Sequence, residues 1–129
     1  MPIEYDIDER RRLVLVTGTG VVTHDDVLEH LAELSEDDRY QAPMKKLIDY
    51  RDVSDIQIST DASVVIAATK KKLSERFAGE KCAFVASKDA VFGTARVHEA
   101  RVEGAGISTS VFRDIEAAMT WLEVNPTPA

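Results

Sequence analysis

The order in which apolar periodicity changes along this chain constrains its fold more than any other feature. Ile3, Tyr5 and Ile7 alternate with Glu4, Asp6 and Asp8, the period-two pattern of a half-buried strand. After the polar stretch Asp8-Glu9-Arg10-Arg11, Leu13-Val14-Leu15-Val16 supplies a second strand, the other arm of a hairpin, closed by Gly18 and Gly20. The period then lengthens. Thr23 is a good helix N-cap, Asp25 and Asp26 suit the first turn, and Val27, Leu28, Leu31 and Leu34 form an apolar stripe that runs to about Asp37. His24, Glu29, Glu33 and Glu36 fall on the outer face of this helix, and Pro43 ends the loop that follows.

The alternation then repeats. Lys46-Leu47-Ile48-Asp49-Tyr50 predicts a third strand, and Ser59-Thr60-Asp61 opens a second helix with Ala62, Ile66, Thr69, Leu73 and Phe77 facing inward and Gly79 as its stop. A fourth strand is expected over Lys81–Ser87. Asp89 opens a third helix with Val91, Ala95, His98 and Val102 on one face, ended by Gly104 and Gly106. Ile107–Phe112 predicts a fifth strand, and Ile115, Ala118, Met119 and Leu122 line a fourth helix. The order ββαβαβαβα is that of an α/β fold: a five-stranded mixed sheet, mostly parallel after the hairpin, with four helices. Residues 1–124 are expected to form a single domain and 125–129 a flexible tail.

Composition agrees with that class. A chain of 129 residues, 44% apolar and 30% charged, buries enough surface to complete a core without disulfides or metal. Its apolar runs fall far short of the ~18–20 residues that span a bilayer. The opening Met1-Pro2-Ile3-Glu4-Tyr5-Asp6 lacks the pattern of a signal peptide, so a cytoplasmic setting is expected. The net charge of −7 argues against nucleic-acid binding. It is uneven, with 15 acidic and 7 basic residues in 1–64 against 8 and 9 in 65–129. Lys70, Lys71, Lys72, Arg76, Lys81 and Lys88 form a local basic cluster, read as a solvated helix end or as a site for anionic headgroups. Cys82, the only cysteine, lies in an apolar strand and reads as a small buried residue rather than a nucleophile.

Three stretches carry a family resemblance: Gly20-Val21-Val22-Thr23-His24-Asp25-Asp26, Leu47-Ile48-Asp49-Tyr50-Arg51-Asp52-Val53-Ser54, and Val91-Phe92-Gly93-Thr94-Ala95-Arg96-Val97-His98-Glu99-Ala100. With the closing segment Val111–Leu122, they make the chain resemble the SpoIIAA-like family of small bacterial proteins, whose fold is related to STAS domains and to the CRAL-TRIO lipid-binding fold. The resemblance implies a SpoIIAA-like (STAS-type) fold and little settled biochemistry: none of the stretches is a catalytic signature, and the kinship with a lipid-binding fold favours an apolar ligand. STAS domains of the anti-sigma-factor-antagonist type carry a phosphorylatable serine where the second helix opens. The matching Ser59-Thr60-Asp61-Ala62 keeps the hydroxyls but lacks the preceding acid, where Ile58 stands, and the following glycine.

Candidate sites follow from these readings. Ser59 or Thr60 would carry a phosphate in a partner-switching regulator; the competing reading is a helix cap. On the second helix, Val64 and Ala68 with Ala67, beside Lys71 and Lys72, turn away from the expected core. That face suits reversible docking on a membrane surface or a regulatory protein partner, or cover by the third helix or a homodimer partner. Phe77, Phe92 and His98 are candidates to line a pocket for a small apolar or amphipathic, lipid-like ligand. His24 and His30 sit six residues apart, too far round a helix to share a metal, and no metal or cofactor site is expected. Asp49, Asp52 and Asp55 read as a solvated loop rather than a calcium site, and Gly18-Thr19-Gly20 lacks the third glycine of a dinucleotide fingerprint. No nucleophile, base and orienting acid assemble from the sequence, so an enzyme is not expected.

Overall fold

The computed structural model describes residues 2–101 and 108–124. The elements are β1 (Ile3–Asp8), β2 (Leu13–Thr23), α1 (His24–Glu36), β3 (Lys45–Gln57), α2 (Thr60–Lys72), β4 (Lys81–Val85), α3 (Asp89–Arg101), β5 (Ser108–Phe112) and α4 (Ile115–Leu122). This is the order expected from the sequence. The expected end of the third helix at Gly104 and Gly106, the strand start at Ile107 and the tail 125–129 lie outside the described residues.

The strands lie in chain order, β1-β2-β3-β4-β5. β1 pairs antiparallel with β2, and every later pairing is parallel. Right-handed crossovers between successive parallel strands that all step the same way deliver their helices to one face. Accordingly α1, α2 and α3 share a core with Val14, Val16, Ile48, Tyr50 and Phe84, while α4 packs Ala118 and Leu122 on the opposite face against Leu13, Leu47, Ala83 and Val85. The alternation of β3 decides which residues meet which layer: 46, 48 and 50 face the three helices, and 47 faces α4. Because the strand order never reverses, the sheet has no switch-point crevice of the kind that holds nucleotides in doubly wound folds.

Local chemistry explains the helix starts. At α1, the Asp26 N–H donates to Thr23 Oγ1 at 3.4 Å and the Thr23 N–H donates to Asp26 Oδ2 at 2.9 Å, a complete capping box. At α2, the Ala62 N–H donates to Ser59 Oγ at 3.1 Å.

Several expectations are corrected. Gly18 and Gly20 do not close β2 but lie within it. A Cβ on Gly18 would stand 2.6 Å from a Tyr50 ring carbon, so only glycine lets that ring lie against the strand. Gly20 has φ +66° beside a register shift and forms a bulge. β3 runs on to Gln57, and Asp49, Asp52 and Asp55 are strand residues paired with Thr17, Thr19 and Val21 rather than a loop. The two-stranded β2–β3 extension escaped the pattern because its acids (Asp49, Asp52, Asp55) and apolar residues (Tyr50, Val53, Ile56) recur every third residue rather than every second. β4 stops at Val85, short of the expected Ser87.

The inward stripe of α2 is also rotated by about one residue. Ser63, Ile66, Ala67 and Lys70 are its buried residues, so Ala67 is not on the outer face. The reason is its neighbours: α2 packs against α1 and α3 and stands off the sheet, so its buried face is set by those two helices, and Ser63, Ile66 and Lys70 reach the space between them and the sheet.

Candidate functional site

The gap left where α2 stands off the sheet is a cleft of about 60 Å³. Val27, His30 and Leu31 of α1, Ser63, Ile66 and Lys70 of α2, and Thr94, Ala95 and His98 of α3 form its helical walls. Lys46, Ile48, Tyr50 and Ile56 of β3, Ile58 and Phe84 complete it. The walls are mostly hydrocarbon, yet three basic side chains stand among them: His30, Lys46 and Lys70 are only 7%, 2% and 4% exposed.

These three are poorly satisfied by the protein itself. Neither ring nitrogen of His30 has a hydrogen-bond partner, although the ring packs edge-on against Tyr5 at 5.3 Å. Burial first, and then the charges of Lys46 and Lys70, hold its pKa down at about 2, so the imidazole is neutral. Lys70 lies over the Phe84 ring at 5.6 Å, and its burial depresses its pKa. Among the described residues, no carboxylate lies within ion-pair distance of the Lys46 or Lys70 ammonium. Lysine is almost never fully buried without a partner. Glu80, 3% exposed, is the nearest buried acid to influence Lys70; its Oε2 accepts the Tyr40 hydroxyl.

The sequence-derived pocket residues divide. His98 does line the cleft, half-buried and edge-on to Phe84 at 6.1 Å. Phe77 does not: it is 1% exposed and locked edge-to-face with Tyr40 at 5.0 Å, beyond the end of α2. Phe92 packs at the edge of the core under the Arg113 guanidinium, 4.2 Å away, outside the cleft. His30, Lys46 and Lys70 were missed, although spacing marks each. His30 lies on the same stripe as Val27 and Leu34, Lys46 alternates with Ile48 and Tyr50, and Lys70 follows Ile66 by four. Residue type masked the pattern, because cations are ordinarily assigned to solvent.

The docking candidates Val64, Ala68, Lys71 and Lys72 are all exposed on the outer face of α2, beside an equally exposed Val65. The basic cluster around them disperses, however. Lys70 turns into the cleft, and Arg76 donates to the carbonyls of Ser35, Asp37 and Tyr40 at 2.6–2.7 Å, bracing the segment that follows α1. Lys81 donates to the Trp121 carbonyl, and Lys88 to those of Arg51 and Val53. Ser59 and Thr60 are exposed, with the Ser59 hydroxyl engaged as the cap of α2. Cys82 is buried and its thiol is pushed up to about 11 by burial, which removes the thiolate a nucleophile requires.

A larger groove of about 360 Å³ lies on the other side of His30, between β1 and α1, lined by Glu4, Asp26, Glu29 and Glu33. Glu4, Glu29 and Glu33 are open to water, so the groove leaves no buried charge in need of a partner. Among the described residues, no group of three or more His, Cys, Asp or Glu side chains is placed to hold a metal, and no helix is long and apolar enough to cross a membrane.

No family model matches the sequence, and no curated protein matches it. Among solved structures, the chain is similar to an uncharacterized protein of the DUF3478 family with a SpoIIAA-like fold from Shewanella loihica PV-4. The two are 19% identical, the match covers 93% of this chain and 91% of that one, and the TM-score is 0.58. At that identity the likeness speaks for architecture alone. Together with the five-stranded mixed sheet and its helices, it shows that this chain has the SpoIIAA-like α/β fold that the sequence resembles.

Proposed function

We propose that this chain is a non-catalytic binding module that takes a small amphipathic ligand between the sheet and the helices α1, α2 and α3. The observation that carries this reading is His30: a buried imidazole with both ring nitrogens unpartnered, on the wall of a mostly hydrocarbon cleft. Buried polar groups in folded proteins are nearly always hydrogen-bonded, and an orphan calls for an explanation such as an unseen ligand. Apolar walls with a few convergent polar groups are the ordinary make-up of a ligand site. Catalysis receives no comparable support. Cys82 is inert, and among the described residues no acid lines the cleft beside its histidines.

The cleft's size revises the lipid-like ligand expected from the sequence. A volume of about 60 Å³ encloses a head group or a short chain, and a longer tail would have to leave through the mouth. The test is a screen of small neutral and charged amphiphiles by methyl NMR. Binding should shift the Ile48, Ile56 and Ile66 methyl signals selectively, and Ala95→Phe, which fills the cleft, should abolish those shifts. Shifts scattered over the surface, or none at all, would sink the reading.

A further inference from the structure

We propose that the cleft is selective for a compact monocarboxylate, whose carboxylate sits between Lys46, Lys70 and His30 and whose hydrocarbon lies against Ile48, Ile66 and Phe84. This rests on the binding reading above and specifies its ligand. Two like charges buried side by side raise each other's energy, and no acid among the described residues forms an ion pair with either. The Phe84 ring compensates Lys70 only in part, and among the described residues no ring covers Lys46. An oxyanion would satisfy both ammoniums and the His30 N–H together, and hydrogen bonds of that charged kind are the strong ones.

Charge and volume narrow the anion. Glu80 is buried within electrostatic reach of Lys70. Counting it against the two lysines leaves one positive charge uncompensated, which a monoanion neutralises. A phosphate dianion would overshoot that single charge, and its bulkier headgroup would leave less of the cleft for hydrocarbon against Ile48, Ile66 and Phe84. The roughly 60 Å³ of the cleft corresponds to about four or five water-sized sites. That matches a short-chain carboxylate such as propionate, with room for a longer chain only beyond the mouth.

The experiment titrates the protein at constant ionic strength with propionate, propionamide and inorganic phosphate, following the Ile48 and Ile66 methyl signals. Propionate should bind at least tenfold more tightly than its neutral isostere and than phosphate. Lys46→Met and Lys70→Met should each weaken propionate at least tenfold while leaving propionamide unchanged. Both variants remove a buried charge and are expected to fold; their melting temperatures, with and without propionate, give a second readout in which only the wild type gains from the ligand. Equal binding of propionate and propionamide overturns the carboxylate assignment while leaving the binding-module reading in place. So does a preference for phosphate, or full propionate affinity in both folded variants. Failure of every probe to reach the cleft overturns both.

Discussion

Lys70 and His30 are buried polar side chains whose burial has measurable consequences. A lysine 4% exposed and without an acid partner is a cost to the unliganded fold. Replacing it with methionine, similar in length and apolar, should therefore raise stability toward unfolding by about 1–4 kcal/mol, the range seen when buried charged groups give way to packed hydrocarbon. Urea unfolding at pH 7 measures this, and a loss of stability would show that Lys70 already has a favourable partner. His30 gives a pH signature. Its folded-state pKa is held near 2 against an ordinary 6.5. Below pH 6.5 the unfolded chain therefore takes up a proton that the folded chain refuses, and stability falls as pH drops through that window. The loss from this one group between pH 7 and pH 5 is about 2 kcal/mol. The variant His30→Phe should lose correspondingly less over the same interval, and identical pH slopes for the two proteins would contradict a buried neutral imidazole.

Elements show where sequence and structure agree and where they part. The helix starts were legible because capping is local chemistry: Thr23 and Ser59 stand where a hydroxyl meets a free N–H two or three residues on. Thr23→Ala and Ser59→Ala should each cost about 1 kcal/mol in urea unfolding. Should the Ser59 change cost nothing, its role as a cap would be excluded and the phosphate-acceptor reading would gain. Gly18→Ala should be more damaging, because its Cβ would fall 2.6 Å from the Tyr50 ring, and overpacking of this kind costs about 1–3 kcal/mol. That contact was not legible. Gly18 and Tyr50 lie on neighbouring strands, and a glycine at the end of an apolar run reads locally as a terminator. The long β2–β3 extension was hidden for a similar reason, since exposed acids at Asp52 and Asp55 mimic a loop when the partner strand is unseen. The facing of α2 depended on its standing between α1 and α3, a tertiary fact that periodicity places only to within one residue.

The whole molecule ties these details to function. Strands in chain order send three helices to one face, and the cleft lies between the sheet and the middle one, which packs against α1 and α3. The fold was legible because the change from strand to helix period gave the α/β order even where the ends of β2 and β3 were misplaced. Of the residues lining this candidate site, the sequence pointed to His98 alone, because Lys46, Lys70 and His30 converge from β3, α2 and α1 and acquire meaning only once those elements meet. The same convergence predicts a trade between stability and binding: the residues that burden the empty protein are those that would hold a carboxylate. A structure of the protein crystallised with propionate tests this most directly. A carboxylate is expected in the cleft within hydrogen-bond distance of Lys46 Nζ, Lys70 Nζ and a ring nitrogen of His30. A cleft without the anion, or propionate bound only at the exposed surface, would contradict it.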